Sequence, residues 1–154
     1  MLGGIGVSLL LGLKSLNQTR NTQYKQFKNA LLKDIIEWTE NVLTCGDEIG
    51  FEYITTPKMG RDALNTLAYK ALGEYVLLRK KMPYVGAIAP KVNISTNAVF
   101  SGIVNVIQAI ENQQKANNVD MAKLYKEYIT PLNNICGDLI AEVSEILGKD
   151  LNSE

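Results

Sequence analysis

The sequence predicts an all-α protein, an up-and-down four-helix bundle preceded by a short apolar segment. Apolar residues recur at spacings of three and four through four long stretches, which is the pattern of one buried face of a helix. Strand signals are weak, apart from a short stretch at 51–55. A chain of 154 residues favours one domain. Helices joined partly by short turns favour antiparallel neighbours, and hence the up-and-down arrangement.

The first thirteen residues contain no charged side chain, and four of the thirteen are glycine. At about 1.5 Å per residue they span about 20 Å, whereas a membrane-crossing helix needs about 20 apolar residues. Glycine is better tolerated in membrane helices than in soluble ones. We therefore predict that residues 1–13 are a membrane anchor of marginal length.

Two other interpretations of residues 1–13 stay open. A cleaved signal peptide needs basic residues before the apolar run and a small-residue cleavage site after it, and the sequence has neither. A buried or disordered soluble segment is the other alternative, although each glycine in a helix interior costs about 1 kcal/mol relative to alanine. Gly4, Ser8 and Gly12 repeat every four residues, which predicts self-association of membrane helices and a homo-oligomer.

The segment that follows is basic. Residues 1–33 contain five cations and no carboxylate, the cations being Lys14, Arg20, Lys25, Lys28 and Lys33. Cations just after an apolar segment mark the cytoplasmic side of a membrane protein. We therefore expect the N-terminus outside and a cytoplasmic domain, attached through a polar linker at 14–23; a soluble cytoplasmic protein is the alternative.

The first two helices are predicted at about 24–45 and 57–82. The inward stripe of the first begins at Tyr24 and Phe27. Gly46 is interpreted as its C-terminal stop, because glycine commonly follows the last helical residue. A loop is then expected at 46–56, and Pro57 occupies the first position of the second helix, where its missing N–H costs nothing.

The third and fourth helices are predicted at about 96–116 and 120–147. The connection at 83–94 contains two prolines and a glycine, which argues against a regular helix there. A short turn at 117–119 precedes Asp120, which caps the fourth helix. Pro131 is expected to kink this helix. The bundle domain thus covers 24–148, with a tail at 149–154.

Several chemistries are missing from the sequence. The chain has no histidine, which excludes Ser-His-Asp catalysis and the Glu-x-x-His pairs of di-iron bundles. No phosphate-binding glycine motif stands in a strand-turn-helix context. The Glu-x-x-Glu spacings in the first and fourth helices fall on polar faces. We therefore predict no catalytic, cofactor-binding or metal-binding residue, no cofactor and no enzymatic activity. Zero net charge predicts no nucleic-acid partner.

The two cysteines, Cys45 and Cys136, fall on apolar helix faces. In the predicted bundle Cys45 lies at the end far from the membrane, and Cys136 lies about 24 Å from that end. A disulfide requires Cα atoms within about 7 Å. We therefore predict two buried free thiols.

Alternating helix directions bring the end of the second helix back to the membrane. Its basic residues should then lie beside those of the first helix, facing an anionic leaflet. The acidic end of the fourth helix arrives there too, which is an objection. The predicted membrane-surface residues are Lys14, Arg20, Lys25, Lys28, Arg79, Lys80, Lys81, Tyr84, Val85 and Ile88.

These features predict a membrane-anchored, non-enzymatic helical scaffold, adaptor or assembly subunit with a protein partner. One alternative is a membrane-active effector that forms pores or permeabilises bilayers through its glycine-rich N-terminus. The other is a soluble helical ligand-binding bundle, for which the inward stripes supply few polar residues.

Overall fold

A computed structural model describes the backbone of residues 2–55 and 61–152, with side chains at 9–51, 66 and 68–149. Within these ranges the protein is helical and has no strand, so the all-α prediction is confirmed. The helices are α1 (Leu2–Thr55), α2 (Arg61–Arg79), α3 (Met82–Ile88), α4 (Pro90–Lys115), α5 (Met121–Leu124) and α6 (Thr130–Asn152), with a π-helical segment (Tyr125–Ile129) between α5 and α6.

α1 is longer than predicted, because neither the predicted linker at 14–23 nor the described part of the predicted loop, 46–55, interrupts it. Gly46 is not a helix stop: it lies inside α1, and the side chain of Asn133 packs directly over it. One turn later, a Cβ on Gly50 would lie 2.7 Å from Tyr125 Cε2. These glycines are therefore positions of close backbone approach, a role that glycine fills because it has no Cβ.

The predicted irregular connection at 83–94 is also wrong. Pro83 lies in the first turn of α3 and Pro90 is the first residue of α4. Proline is tolerated at these positions because the first helical N–H groups have no intrahelical acceptor. Ala89 alone leaves helical geometry, with φ −143° and ψ 79°. The predicted Pro57 start lies outside the described residues.

The turn between α4 and α5 is confirmed. Asn117 has a φ of 57°, and the Asn118 N–H donates to the Gln113 carbonyl, which closes the helix in a Schellman motif. Asp120 then caps α5, because its Oδ1 accepts a hydrogen bond from the Lys123 N–H at 3.0 Å. The chain beyond α5 remains helical past the predicted end at Gly148.

The π-helical segment lies directly before Pro131. The Thr130 N–H donates to the Tyr125 carbonyl, five residues earlier. Pro131 has no N–H to donate to the preceding turn. The π turn contains one extra residue, which adjusts the helix next to the hydrogen bond that Pro131 cannot make. Such bulges often accompany irregular positions in helices.

α1, α2, α4 and α6 pack around one apolar core, and the contacts between neighbours run antiparallel. For each two neighbouring helices, the residue numbers of the contacting pairs rise along one helix and fall along the other. Between α1 and the end of α2 the contacts are Trp38–Ala71 and Asp34–Lys81. Between α2 and α4 they are Tyr69–Glu111 and Tyr75–Asn97. Between α4 and α6 they are Ser95–Glu142 and Gly102–Leu132, and between α1 and the last helical stretch they are Gly46–Asn133 and Gly50–Tyr125. The largest fully buried side chains are Leu32, Ile35, Ile103, Ile110, Leu124, Ile129 and Leu139.

An aromatic row crosses the core. The Trp38 ring lies 5.2 Å from Tyr75, which stacks on Phe100 at 4.4 Å. The Trp38 Nε1–H donates to the Ala71 carbonyl at 3.1 Å, so its polar atom is satisfied although it is buried. The row joins α1, α2 and α4, and aromatic pairs at such distances add to the free energy gained by burial.

Both cysteines are buried free thiols, as predicted. The predicted reason is wrong, because α1 continues to Thr55 instead of ending at Cys45. Gly46 packs against Asn133, so Cys45 lies within about one helical turn of the level of Cys136 along the helix axes.

Candidate functional site

α1 extends beyond the packed body of the protein. Every residue from 9 to 24 is exposed, so no described element packs against this part of the helix. We call residues 9–24 the overhang, which is about 24 Å long. Its five leucines are 57–68% exposed: Leu9, Leu10, Leu11, Leu13 and Leu16. The overhang is therefore the largest run of exposed leucine in the described chain.

The overhang joins the body at an aromatic pair. Phe27 and Tyr84 meet edge to face with ring centroids 5.8 Å apart. Phe27 is 48% exposed and Tyr84 57% exposed, whereas Leu31, one turn further along α1, is buried. The pair therefore marks the level at which α1 enters the body, and it joins α1 to α3.

The end of the body next to the overhang is basic. We define the basic end as residues 24–34, 79–91 and 142–149, which contain eight cations and three carboxylates. The cations are Lys25, Lys28, Lys33, Arg79, Lys80, Lys81, Lys91 and Lys149. Two of the carboxylates are in ion pairs, Lys81 with Asp34 and Lys149 with Glu145 at 3.0 Å.

The opposite end of the body is acidic. Residues 40–55, 61–70 and 109–128 contain eight carboxylates and five cations. Tyr69 lies at this end, where its hydroxyl donates to Glu111 at 3.0 Å. This hydrogen bond and the nearby charge raise the pKa of Tyr69. Charge is therefore segregated along the body although the whole chain is neutral.

A cavity of about 780 Å³ opens at the basic end, between the start of α4 and the end of α6. Lys28, Lys91 and Lys149 line it together with Glu142 and Glu145. The Glu142 carboxylate accepts a hydrogen bond from the Ser95 hydroxyl at 2.9 Å. The acidic end of the last helix therefore does reach this end of the body, as the sequence indicated.

The predicted membrane-surface residues do not form one cluster. Lys25, Lys28 and the cations at 79–81 lie at the basic end. Lys14 and Arg20 lie further out on the overhang, Lys14 about 21 Å along α1 from Lys28. The structure therefore divides the predicted basic set between the body and the overhang, because α1 continues as a helix through 14–23.

Val85 was predicted to face the membrane, and this is wrong. Its side chain is fully buried, because α3 is an amphipathic helix whose inner face is formed by Met82 and Val85. Ile88 is partly buried against the same core. Of the three apolar residues predicted for this surface, Tyr84 is the exposed one.

Tyr24 and Phe27 were placed on the inward stripe of the first helix, yet they are 53% and 48% exposed. The sequence already indicated that Tyr24 and Phe27 are exposed. From Tyr24 the same spacing of three and four runs back through Arg20 to Leu16, Leu13 and Leu9, beyond the reach of any predicted partner helix. An apolar stripe longer than its partners is necessarily uncovered at one end.

The predicted self-association stripe lies mostly outside the described side chains. Gly4 and Ser8 belong to that part, and Gly12 is exposed with open space where a Cβ would be. The self-association of this stripe stays a prediction.

Burial disfavours the reactive form of both thiols. Burial raises the pKa of Cys136 to about 12 and also raises the pKa of Cys45. A thiol whose pKa is raised by apolar burial is a poor nucleophile, because the thiolate is the reactive form.

Among residues 2–55 and 61–152, no helix is long and apolar enough to cross a membrane. The described residues also contain no group of His, Cys, Asp or Glu side chains that could hold a metal ion. Comparison of the chain with protein-family models, with curated proteins and with solved structures finds no match.

Proposed function

We propose that this protein is a non-enzymatic helical scaffold or adaptor attached to a membrane by the N-terminal part of α1. The observation that carries the proposal is the exposure of the overhang leucines. Leu9, Leu10 and Leu11 are consecutive and 62–68% exposed. Because successive helical residues point about 100° apart, these three side chains span about 200° of the helix circumference, which is more than one face.

A bilayer covers such a helix better than a protein partner does. A single packing helix buries one narrow face, whereas a bilayer can cover the broader apolar arc that these leucines form. Burial of a leucine side chain contributes about 1.5–3 kcal/mol. The uncharged first thirteen residues favour the same environment.

Charge gives the attachment a direction. The first cation after the apolar segment is Lys14, and no carboxylate occurs before Asp34. Cations in this position favour the cytoplasmic side of the membrane. The body is therefore proposed to lie in the cytoplasm, and the expected topology with the N-terminus outside stays a prediction.

The body is inferred to be an up-and-down four-helix bundle that presents its surface to a protein partner. The antiparallel contacts of α1, α2, α4 and α6 support this architecture. Val76, Leu77 and Ile94 are 58–71% exposed on the outside of the body and would contribute apolar contacts to a partner. The Gly4, Ser8 and Gly12 stripe would pair two copies within the membrane.

Fractionation of cells that express the full chain tests the attachment. We expect the protein in the membrane fraction after a carbonate wash, with the body digested by protease added to the cytoplasmic face. Leu10→Glu should release the chain, because it places a charge in the apolar segment. Leu77→Glu is the matched control, since Leu77 is 71% exposed on the body.

Recovery of the unaltered full chain in the soluble fraction would contradict the proposal. Equal release by both substitutions would also contradict it, because the overhang would then have no special role. Rapid leakage from dye-loaded vesicles would favour a permeabilising effector over a scaffold.

A further inference from the structure

We propose that the membrane contact extends from the overhang to the body, with α1 lying along the surface of an anionic bilayer and the basic end touching that surface at Phe27 and Tyr84. The inference rests on the proposed attachment and adds a second contact region to it. The ligand of this region is the anionic lipid headgroup.

The first observation is the apolar stripe of the overhang. Leu9, Leu13, Leu16, Tyr24 and Phe27 recur at three or four residues, with Arg20 at the position between Leu16 and Tyr24. Residues at these spacings share one face of a helix. They are 48–64% exposed, so the face is available along its whole length. Arg20 lies on this face, whereas Lys14 and Lys25 lie off it. Apolar helix faces with neighbouring cations are typical of segments that lie in the membrane interface.

The second observation is the aromatic pair at the inner end of the stripe. Phe27 belongs to the stripe, and Tyr84 packs edge to face against it from α3. The stripe therefore continues from α1 onto the body. Tyrosine suits an interface, because its ring is apolar and its hydroxyl is polar.

The third observation is the separation of charge. The basic end contains eight cations and three carboxylates, and the opposite end has an excess of carboxylates. Lysine and arginine near an anionic leaflet are attracted to it within about one Debye length. The same end therefore carries the exposed aromatic pair, the excess of cations and the emerging overhang.

Charge also argues against a second copy of this chain as the occupant of the stripe. Residues 14–33 contain five cations and no carboxylate, so this part of two copies repels itself when the copies lie side by side, whereas the uncharged Gly4, Ser8 and Gly12 stripe lies outside it. An acidic protein helix would match the charge. The bilayer is favoured because the uncharged residues at the start of the chain continue the stripe.

The distance along α1 between Lys14 and Phe27 distinguishes an upright helix from one that lies on the membrane. Phe27 follows Lys14 by thirteen residues, which is about 20 Å of helix. If α1 stood upright with its first thirteen residues in lipid, the aromatic pair would be held about 20 Å from the surface. Only a helix that lies close to the membrane plane brings Tyr84 into contact with lipid. Such a helix does not cross the bilayer, so this proposal replaces the predicted topology with the N-terminus outside.

Fluorescence quenching by brominated lipid tests the contact in the full chain. Tyr84→Trp places an indole at the aromatic pair, and Tyr69→Trp places one at the acidic end, where Tyr69 is 49% exposed. Trp38 is buried and supplies the same background emission in both variants. We expect brominated anionic vesicles to quench most of the emission that Tyr84→Trp adds, and to leave that of Tyr69→Trp unchanged.

A second comparison of variants tests how much the lysines of the basic end contribute to the membrane contact. Lys80→Gln with Lys91→Gln should reduce the quenching of Tyr84→Trp, whereas Lys123→Gln with Lys126→Gln at the acidic end should not. Salt should reduce the quenching as the Debye length falls from about 10 Å at 0.1 M to about 3 Å at 1 M. Brominated zwitterionic vesicles should quench less than anionic ones.

Flotation of the same samples separates the two proposals. A chain that floats with anionic vesicles while Tyr84→Trp stays unquenched overturns the second contact and leaves the attachment intact. That result would indicate an upright α1, or a protein partner on the stripe. A chain that does not float at all contradicts the attachment as well.

Discussion

At the scale of single residues, the glycines divide into two classes that the sequence does not distinguish. A Cβ on Gly102 would lie 2.8 Å from Leu132 Cδ1, whereas Gly73 and Gly137 have nothing within 4 Å of that position. Helix propensity favours alanine over glycine at every one of these sites. The tertiary neighbour therefore decides the sign of a substitution.

We expect Gly137→Ala to raise the free energy of unfolding by about 0.5–1 kcal/mol, because Gly137 is exposed in a helix interior. Gly102→Ala should lower it by about 1–2 kcal/mol, since overpacking against buried Leu132 outweighs the propensity gain. Urea denaturation measures both changes. Stabilisation by both substitutions would show that α4 and α6 are less tightly packed than described.

The buried thiols predict a dependence of stability on pH. The pKa of Cys136 is raised from 9.0 to about 12 by burial. Well below pH 9 the thiol is protonated in both states, and its contribution to stability is complete. Between about pH 9 and pH 12 the unfolded chain loses this proton more readily, so stability falls as the pH rises.

Cys136→Ala should remove part of this alkaline loss, although the cavity lowers stability at every pH. The measurement is the difference in urea midpoint between pH 8 and pH 10.5 for the two proteins. An equal difference in both would contradict the raised pKa of Cys136.

At the scale of elements, the turn between α4 and α5 was predicted better than the ends of the other helices. The Asn117 turn and the Asp120 cap depend on neighbouring residues, so local sequence was sufficient. The same local rules predicted that Gly46 and Pro90 interrupt the helices. In the structure Gly46 allows close packing with Asn133 and Pro90 starts α4. Local sequence cannot show which neighbour packs on a glycine, so α1 was predicted too short.

The Asp120 cap predicts a measurable effect on the final helix. Asp120→Ala removes the acceptor of the Lys123 N–H and should cost about 1 kcal/mol of stability. Asp138→Ala is the control, because Asp138 is an exposed carboxylate in the interior of α6. A similar loss from both would attribute the effect to charge and not to capping.

At the scale of the whole molecule, the candidate site could be predicted only in part. The basic residues and Tyr84 were identified from charge segregation and from an apolar connection. Val85 was included wrongly, because a loop was expected where α3 buries it. Phe27 was missed because its spacing matches that of core residues. Whether such a stripe is covered depends on the lengths of the neighbouring helices, which the spacing of one helix does not contain.

The overhang predicts early proteolysis in solution. A helix of this length without tertiary contacts is marginally stable, and Lys14 and Arg20 lie within it. Trypsin should therefore cleave after these residues before it cleaves the body, as mass spectrometry of early fragments would show. Anionic vesicles should slow the two cleavages. Equal rates with and without vesicles would contradict lipid contact at the overhang.

The separation of charge between the two ends also makes the body an electric dipole. In the field of an anionic leaflet, a dipole experiences a torque before any side chain touches lipid, and this torque turns its basic end forward. The orientation on the membrane would then be selected during approach. Added salt should accordingly slow association more than it speeds dissociation, as it does for other electrostatically steered encounters.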